Sequence, residues 1–401
     1  MNIFKKFYAR TYQKVFKLMI PMLPYREPEI LNNNDDVARV LKDKQLTKVL
    51  LVTDEGIRNL NLTLPLENLL SEQGIEVCVY DKTVPNPTTN NVAEGLAIYK
   101  ENACQAIIAV GGGSVIDCAK GIGAKVAKPK KSLRKMKGVL KVRKKIPSLI
   151  AVPTTAGTGS ETTLACVITD SETRHKYAIN DFPLIPSYAL LDANLTLGLP
   201  KHITATTAMD ALTHAIEAYI GKSTTKDTRV YALDAIKMIF ANILEVYNNP
   251  NNFEARHNML FASYKAGLAF TKSYVGYVHA IAHSLGGKYN IAHGLANAVI
   301  LPIVLKKYGR KIYTKLWEMG TYAGLFDTNT TIEKGAKLFI NHIENLNQQM
   351  NIPSSIPQII DEDIPNLAQT AEKEGNPLYP VPVLWTKEKF ENVYMEIKNG
   401  Q

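Results

Sequence analysis

The sequence is short of cysteine and has no long apolar run, and both shortages narrow its function. The four cysteines, Cys78, Cys104, Cys118 and Cys166, are scattered without a CxxC pair. That excludes a disulfide scaffold or a cysteine metal cluster and fits a reducing, cytoplasmic setting. No segment approaches the ~20 apolar residues that a membrane-spanning helix needs. Acidic residues are missing where the positive charge gathers. The formal net charge is +10, and Lys128, Lys130, Lys131, Arg134, Lys135, Lys137, Lys141, Arg143, Lys144 and Lys145 follow one another with no acid between them. The same stretch has no aromatic residue on which a base could stack. It reads as a solvated, anion-attracting loop or helix, and no nucleic-acid partner is expected.

What is present is an ordinary globular composition. Of 401 residues, 46% are hydrophobic and 21% charged, enough to bury a full core and to form two or more domains. Residues 1–24 are basic and aromatic, with Phe4, Tyr8, Tyr12, Val15, Phe16, Met19 and Ile20 close to one helical face. Lys14 and Lys17 interrupt any apolar core of a signal peptide. A helix packed on its own protein or on a second subunit is expected, with adsorption to a membrane surface as the alternative.

Between residues 47 and 192, short apolar runs alternate with helical patterns. Strands are expected at 47–53, 76–80, 105–110 and 148–153, and helices at 62–73, 89–101 and 114–124, an alternation that gives a mostly parallel sheet. Further strands at 164–169, 176–180 and 187–192 suggest a hairpin beside it. Beyond Leu199-Pro200 the pattern turns helical. The expected division is therefore an α/β dinucleotide-binding domain over 1–200, including the extension 1–24, and an all-α domain over 201–401.

In QAIIAVGGGSVIDCAK a strand meets a helix through Gly111, Gly112 and Gly113. Glycines allow a sharp turn and a close approach of backbone to ligand, and the free N–H groups at a helix start attract a pyrophosphate. Ser114 is the expected N-cap with Asp117 at N3, a variant capping box, and both are counted with the three glycines among the cofactor-binding residues. The usual dinucleotide spacing is not met, because Ile116 stands where its third glycine would be. Asp54, after the strand at 47–53, sits where a carboxylate would accept ribose hydroxyls and repel a 2′-phosphate, favouring NAD over NADP; a plain turn role is the alternative. The loop PTTAGTGSE (153–161) offers further small and hydroxylated residues after a strand.

The helical half carries the metal chemistry. Asp210 and His214 stand at i and i+4, as do His279 and His283, with His293 ten residues on. One carboxylate and two or three imidazoles suit Fe²⁺ or Zn²⁺ with an open position. Such a cation acidifies an alcohol hydroxyl and so readies the neighbouring carbon to give hydride to a nicotinamide.

Together, GGGSVIDCAK, PTTAGTGSE, DALTHAIEAY and the HAIAH…HG block resemble the iron-containing alcohol dehydrogenases in order and spacing, from about Lys48 to Pro302. The resemblance implies a dehydroquinate synthase-like fold, with an α/β dinucleotide-binding domain, a helical metal-binding domain and the active site between them. It makes Asp210, His214, His279 and His293 the metal ligands and His283 a proton-relay residue near nicotinamide and substrate. It assigns Gly112, Gly113 and Ser114 to the pyrophosphate, Asp54 to the adenosine ribose, and Thr154, Thr155, Thr158 and Lys176 to the rest of the cofactor. A homodimer acting on a primary alcohol, a diol or the matching aldehyde is expected. The alternatives are a zinc-dependent glycerol or polyol dehydrogenase and a non-catalytic nucleotide-binding protein. Ala208 and Ser284 depart from the family's usual Gly and Pro and are expected to alter the substrate pocket.

Overall fold

The computed structural model describes residues 3–400. The chain opens with helix α1 (Ile3–Met19) and a 3-10 turn (Ile20–Met22), then alternates strand and helix. In order come β1 (Glu29–Leu31), α2 (Asn34–Asp43), β2 (Lys48–Val52), α3 (Glu55–Asn59), α4 (Leu64–Glu72), β3 (Glu76–Tyr80), α5 (Thr89–Glu101), β4 (Ala106–Gly111) and α6 (Gly113–Ala127). Then follow α7 (Leu133–Met136), β5 (Gly138–Val139), β6 (Ser148–Pro153), β7 (Ala165–Thr169), β8 (Lys176–Asn180) and β9 (Tyr188–Leu190).

Six strands pair in the order β1-β9-β6-β4-β2-β3, all parallel. Their apolar runs are nearly unbroken because both faces are buried. Leu50, Val52, Ile107, Ala109, Leu149 and Ala151 pack on one face with α5 and α6 residues such as Val92, Ile116 and Ile122. Val49, Leu51, Ile108, Val110, Ile150 and Val152 pack on the other with Val37, Leu41, Leu66 and Leu70 of α2 and α4. The expected hairpin exists as β7 against β8, but in a separate sheet of order β5-β8-β7. The expected strand at 187–192 belongs elsewhere: β9 inserts between β1 and β6 of the main sheet. The basic stretch is a folded excursion, pinned by buried Leu133, Met136 and Val142 and by Asp181, whose carboxylate accepts the Val142 and Arg143 N–H groups.

From Leu199 the chain is helical: α8 (Lys201–Ile220), α9 (Lys226–Asn248), α10 (Phe253–Ser273), α11 (Tyr277–Tyr289), α12 (His293–Tyr308), α13 (Tyr313–Tyr322), α14 (Ile332–Gln349), α15 (Ile364–Gly375) and α16 (Lys387–Asn399). The chain divides into two compact units, Pro24–Gly198 and a second formed by the residues up to Leu23 with those from Leu199 onward. The extension thus lies with the helical unit and not, as expected, with the α/β unit. Arg10 donates to the carbonyls of Val381 and Pro382, Gln13 to those of Pro377 and Tyr379, and Phe16 meets the ring of Tyr274 edge-on. Of the seven residues expected on one packed face, Phe16 and Ile20 turn inward, whereas Phe4, Tyr8, Tyr12, Val15 and Met19 are exposed.

Candidate metal centre and nucleotide-binding loops

In the α/β unit, parallel pairing brings the C-terminal ends of β2, β4 and β6 side by side, where open α/β sheets take ligands. Thr53 Oγ1 donates to the Val110 carbonyl at 2.8 Å, and Thr154 N–H to that of Gly111 at 3.1 Å. Helix α6 has Gly112 as its N-cap, with no side chain closing it. This corrects the expected capping box. Ser114 lies inside the helix, where its Oγ accepts from Asn86 N–H, and Asp117 does not face the turn. Both Asp117 carboxylate oxygens are committed, one to Ser160 Oγ at 2.8 Å and the other to Val167 N–H at 3.0 Å. Asp117 therefore fastens the 153–161 loop and β7 to α6, a structural role where a cofactor contact was expected.

The open helix start keeps its N–H groups for an anion. A Cβ on Gly113 would come within 2.7 Å of Thr158 Cγ2, so only glycine lets the two loops close together. Thr154 is buried, and Thr155 lies against Gly112. Asp54 is the N-cap of α3, accepting from Ile57 N–H at 2.9 Å through Oδ1. The turn role weighed for it is real, and it occupies one oxygen. Lys176 Nζ donates to Asn86 Oδ1 at 2.7 Å, so Asn86 ties Ser114 to Lys176. Lys120 has no exposed surface. It donates to the carbonyls of Ser160, Thr163 and Ala165 and to two hydroxyls, so α6 holds the hydroxylated loop from beneath. Sequence reasoning missed Asn86 and Lys120. A lysine set between Ala119 and Gly121, in a helix made mostly of small and apolar residues, was the available signal for the second.

In the helical unit, α8 carries Asp210 and His214 one turn apart, α11 carries His279 and His283, and α12 begins at His293. The structure brings Asp210, His214, His279 and His293 together, with one ligand atom from each all within 4.8 Å of one another. Asp210 Oδ1 lies 3.8 Å from His279 Nε2 and 3.6 Å from His293 Nε2. Four ligands about 2.1 Å from a tetrahedral ion would stand about 3.4 Å apart, so the group fits a divalent cation with little adjustment. The donors are one carboxylate and three imidazoles, without thiolate, which suits Fe²⁺ or Zn²⁺.

The local electrostatics call for a cation. Burial pushes the Asp210 carboxyl up to about 7, although Asn297 donates to it at 2.6 Å. Burial holds His279 well below its usual range. His279 Nδ1 is 2.6 Å from Glu217 Oε2, which fixes the ring so that Nε2 carries the lone pair. Glu217 also accepts the Gly276 and Val278 N–H groups at the start of α11, and burial lifts it to about 7. Gly276 is required here: a Cβ would come within 2.6 Å of Glu217 Oε1. His214 stacks between Phe270 and His279, with ring centroids at 4.0 and 4.5 Å.

His283 stacks on His293 at 5.2 Å, and its Nδ1 is 2.5 Å from Glu374 Oε1. It lies outside the four-residue group, beside it. Glu374 also accepts from Tyr379 Oη at 2.6 Å; burial raises its pKa, but His283 and these hydrogen bonds bring it below the usual range. Ser284 is buried and donates to the Ile281 carbonyl, so its departure from proline is absorbed within the helix. Glu217 and Asn297, one turn beyond His214 and His293, could have been found from helical spacing. Glu374, on α15, could not.

Comparison with known proteins agrees with this arrangement. Residues 30–193 match the iron-containing alcohol dehydrogenase family, and residues 204–397 match the C-terminal part of the Fe-containing alcohol dehydrogenase family. The chain is 37% identical over 367 residues to 1,3-propanediol dehydrogenase of Klebsiella pneumoniae, covering 90% of this chain and 94% of that protein. It is 35% identical over 341 residues to NAD-dependent methanol dehydrogenase of Bacillus methanolicus, covering 84% and 88%. A crystal structure of 1,3-propanediol oxidoreductase superposes with a TM-score of 0.89 at 35% identity, covering 93% of this chain and 99% of that one. With both parts of the family present in order and the four-residue donor group assembled in the second, this chain belongs to the iron-containing alcohol dehydrogenase family.

Proposed function

We propose that this protein is a reversible, NAD-linked dehydrogenase of small primary alcohols or diols, with Asp210, His214, His279 and His293 holding Fe²⁺. The convergence of those four side chains, three of them buried and His293 half-buried, carries the reading. A divalent cation in that donor set supplies a Lewis acid that lowers the pKa of an alcohol hydroxyl or polarises an aldehyde carbonyl. The protein's own groups do the rest. Glu217 orients His279, and the Phe270 ring stacked on His214 shields that donor from water. His283, steadied by Glu374, takes or returns the hydroxyl proton. The uncapped start of α6 and the loop holding Thr154, Thr155 and Thr158 bind the dinucleotide's phosphates. Asp54 takes the adenosine ribose through the oxygen its helix cap leaves over, and Lys176 contacts the cofactor from β8. The NAD preference rests on that carboxylate and on the relative named as NAD-dependent; the alcohol and diol class rests on the relatives named for methanol and 1,3-propanediol.

The setting we propose is a homodimer in the cytoplasm. Free cysteines, three of them buried, suit a reducing compartment. The deciding experiment assays metal-stripped protein with a panel of alcohols, diols and aldehydes, both nicotinamide cofactors, and added Fe²⁺ or Zn²⁺. Turnover of small alcohols with NAD, restored by Fe²⁺ and abolished in His279→Ala, is expected. Full activity in His279→Ala would end the metal assignment, and a preference for NADP would end the role given to Asp54.

A further inference from the structure

Helix α1 lies outside both segments shared with the family, which begin at residue 30. It has three distinct sides. Ala9, Gln13, Phe16 and Ile20 recur at three- and four-residue steps and face the protein. On the opposite side Phe4, Phe7, Tyr8, Val15, Leu18 and, in the following turn, Met22 face outward, in two groups with the exposed Thr11 between them. Their exposure is large: 77% for Phe4, 74% for Phe7, 69% for Leu18 and 85% for Met22. Single exposed apolar residues need no explanation, but two apolar groups on one side of a helix, joined by a threonine, do.

Charge identifies the occupant. Residues 1–26 contain no acid. Lys6, Lys14 and Lys17 follow one flank of the outward row and Lys5 the other, all exposed. Further cations lie nearby, with Glu318 beside Lys315 offsetting one of them. Lys17 is close enough to Lys315, and Arg10 to Lys222, for the like charges to be felt. An aromatic and aliphatic ridge flanked by lysines, with no acid, matches the boundary of an anionic bilayer, into which the rings insert while the ammonium groups reach the headgroups. A second copy of the same helix would set lysines against lysines. Among the described residues no helix is long and apolar enough to cross a membrane, so the contact is with the surface alone.

We infer that α1 is a membrane-surface anchor that seats this enzyme on anionic lipid through Phe4, Phe7, Tyr8, Val15, Leu18 and Met22. The test mixes the full-length protein with vesicles of phosphatidylcholine alone or blended with phosphatidylglycerol, in low and high salt, and measures the bound fraction by flotation. Binding to the blended vesicles only, weakened by salt, is expected. Each Lys→Gln change at Lys5, Lys6, Lys14 or Lys17 should lower the partition coefficient about fivefold. The Phe7→Ser, Leu18→Ser double variant should abolish binding while its melting temperature and alcohol turnover stay unchanged, because both side chains point away from the protein. No binding to either vesicle, equal binding to both, or binding that survives the double variant overturns the proposal. So does a double variant that lowers the sedimentation coefficient without lipid, since the row would then be covered by a second copy.

Discussion

A buried carboxyl with no ion pair of its own is the sharpest single-residue feature of the α/β unit. Glu161 is 2% exposed, and burial pushes it up to about 7 despite the field of Lys120. The folded state therefore holds its proton more tightly than the unfolded chain does. Its neutral form is tolerated below about pH 4.5, and stability is lost as pH rises from there through 7, by roughly 3 kcal/mol in full. Glu161→Gln keeps the shape and removes the titration. The melting temperatures of variant and parent should converge near pH 5, part as pH rises to 7 and stay apart above it, with the variant higher; the same gap at every pH would refute the account. Asp54 gives a cofactor prediction at the same scale. Its side chain caps α3, so Asp54→Asn keeps the cap and removes only the charge. The ratio of kcat/KM for NADP to that for NAD should rise about tenfold, as expected when a repulsion of about 1.4 kcal/mol is lifted. An unchanged ratio would return Asp54 to a capping role alone. Glu161 ends the PTTAGTGSE motif, yet of the two only Asp54, after the strand at 47–53, was singled out from the sequence. Nothing local distinguishes a buried glutamate from an exposed one at the end of a polar loop.

Among the elements, the junction of β4, the glycine turn and α6 was the most legible. Its apolar run, three glycines and helical pattern follow one another without interruption, and the strand and helix form where they were expected. What misled was the cap: a serine beside a glycine turn is usually the better N-cap, but here Gly112 takes that position and Ser114 turns toward Asn86. The substitution Gly113→Ala tests why glycine is kept. The added methyl meets Thr158 within 2.7 Å, so the 153–161 loop must move off the start of α6. KM for the dinucleotide should rise about tenfold or more, with metal content unchanged. A variant with parental KM would mean the loop is free to give way. The β1 side of the sheet was less legible: β1 was not expected, and β9 was expected as a strand but not in this sheet. β1 has three residues and β9 three, too short to show an alternating pattern, and β9 finds its place through pairing with β6 and β1 across long stretches of sequence.

At the scale of the whole molecule, the sequence carried the change from α/β to helical structure near Pro200 but not the sorting of α1. The bonds that hold α1 to the helical unit join Arg10 and Gln13 to backbone carbonyls more than 360 residues away, and no periodicity encodes such a partner. The four metal donors were legible because helical spacing pairs Asp210 with His214 on α8 and draws attention to His279 and His283 on α11, and the family resemblance made His293, not His283, the fourth donor. Their assembly couples folding to metal. A cation bound at 100 times its Kd stabilises the native state by about 2.7 kcal/mol, which should raise the melting of a unit this size by about 5–10 °C. The dependence on pH has a definite sign. With the centre lacking a cation, burial sets the Asp210 carboxyl at about 7, and an ion needs it ionised. Below pH 7 a proton must leave as the ion enters, so apparent affinity should fall up to tenfold per pH unit on the acid side and level off above pH 8. Calorimetric titration of the stripped protein with Fe²⁺ under anaerobic conditions, in buffers of differing ionisation enthalpy, would read both the affinity and the proton released. Asp210→Asn should lose most of the affinity and all of that proton release. If instead binding in the parent is flat from pH 5.5 to 8, Asp210 is ionised before the ion arrives, and the buried centre is less hostile to negative charge than its surroundings indicate.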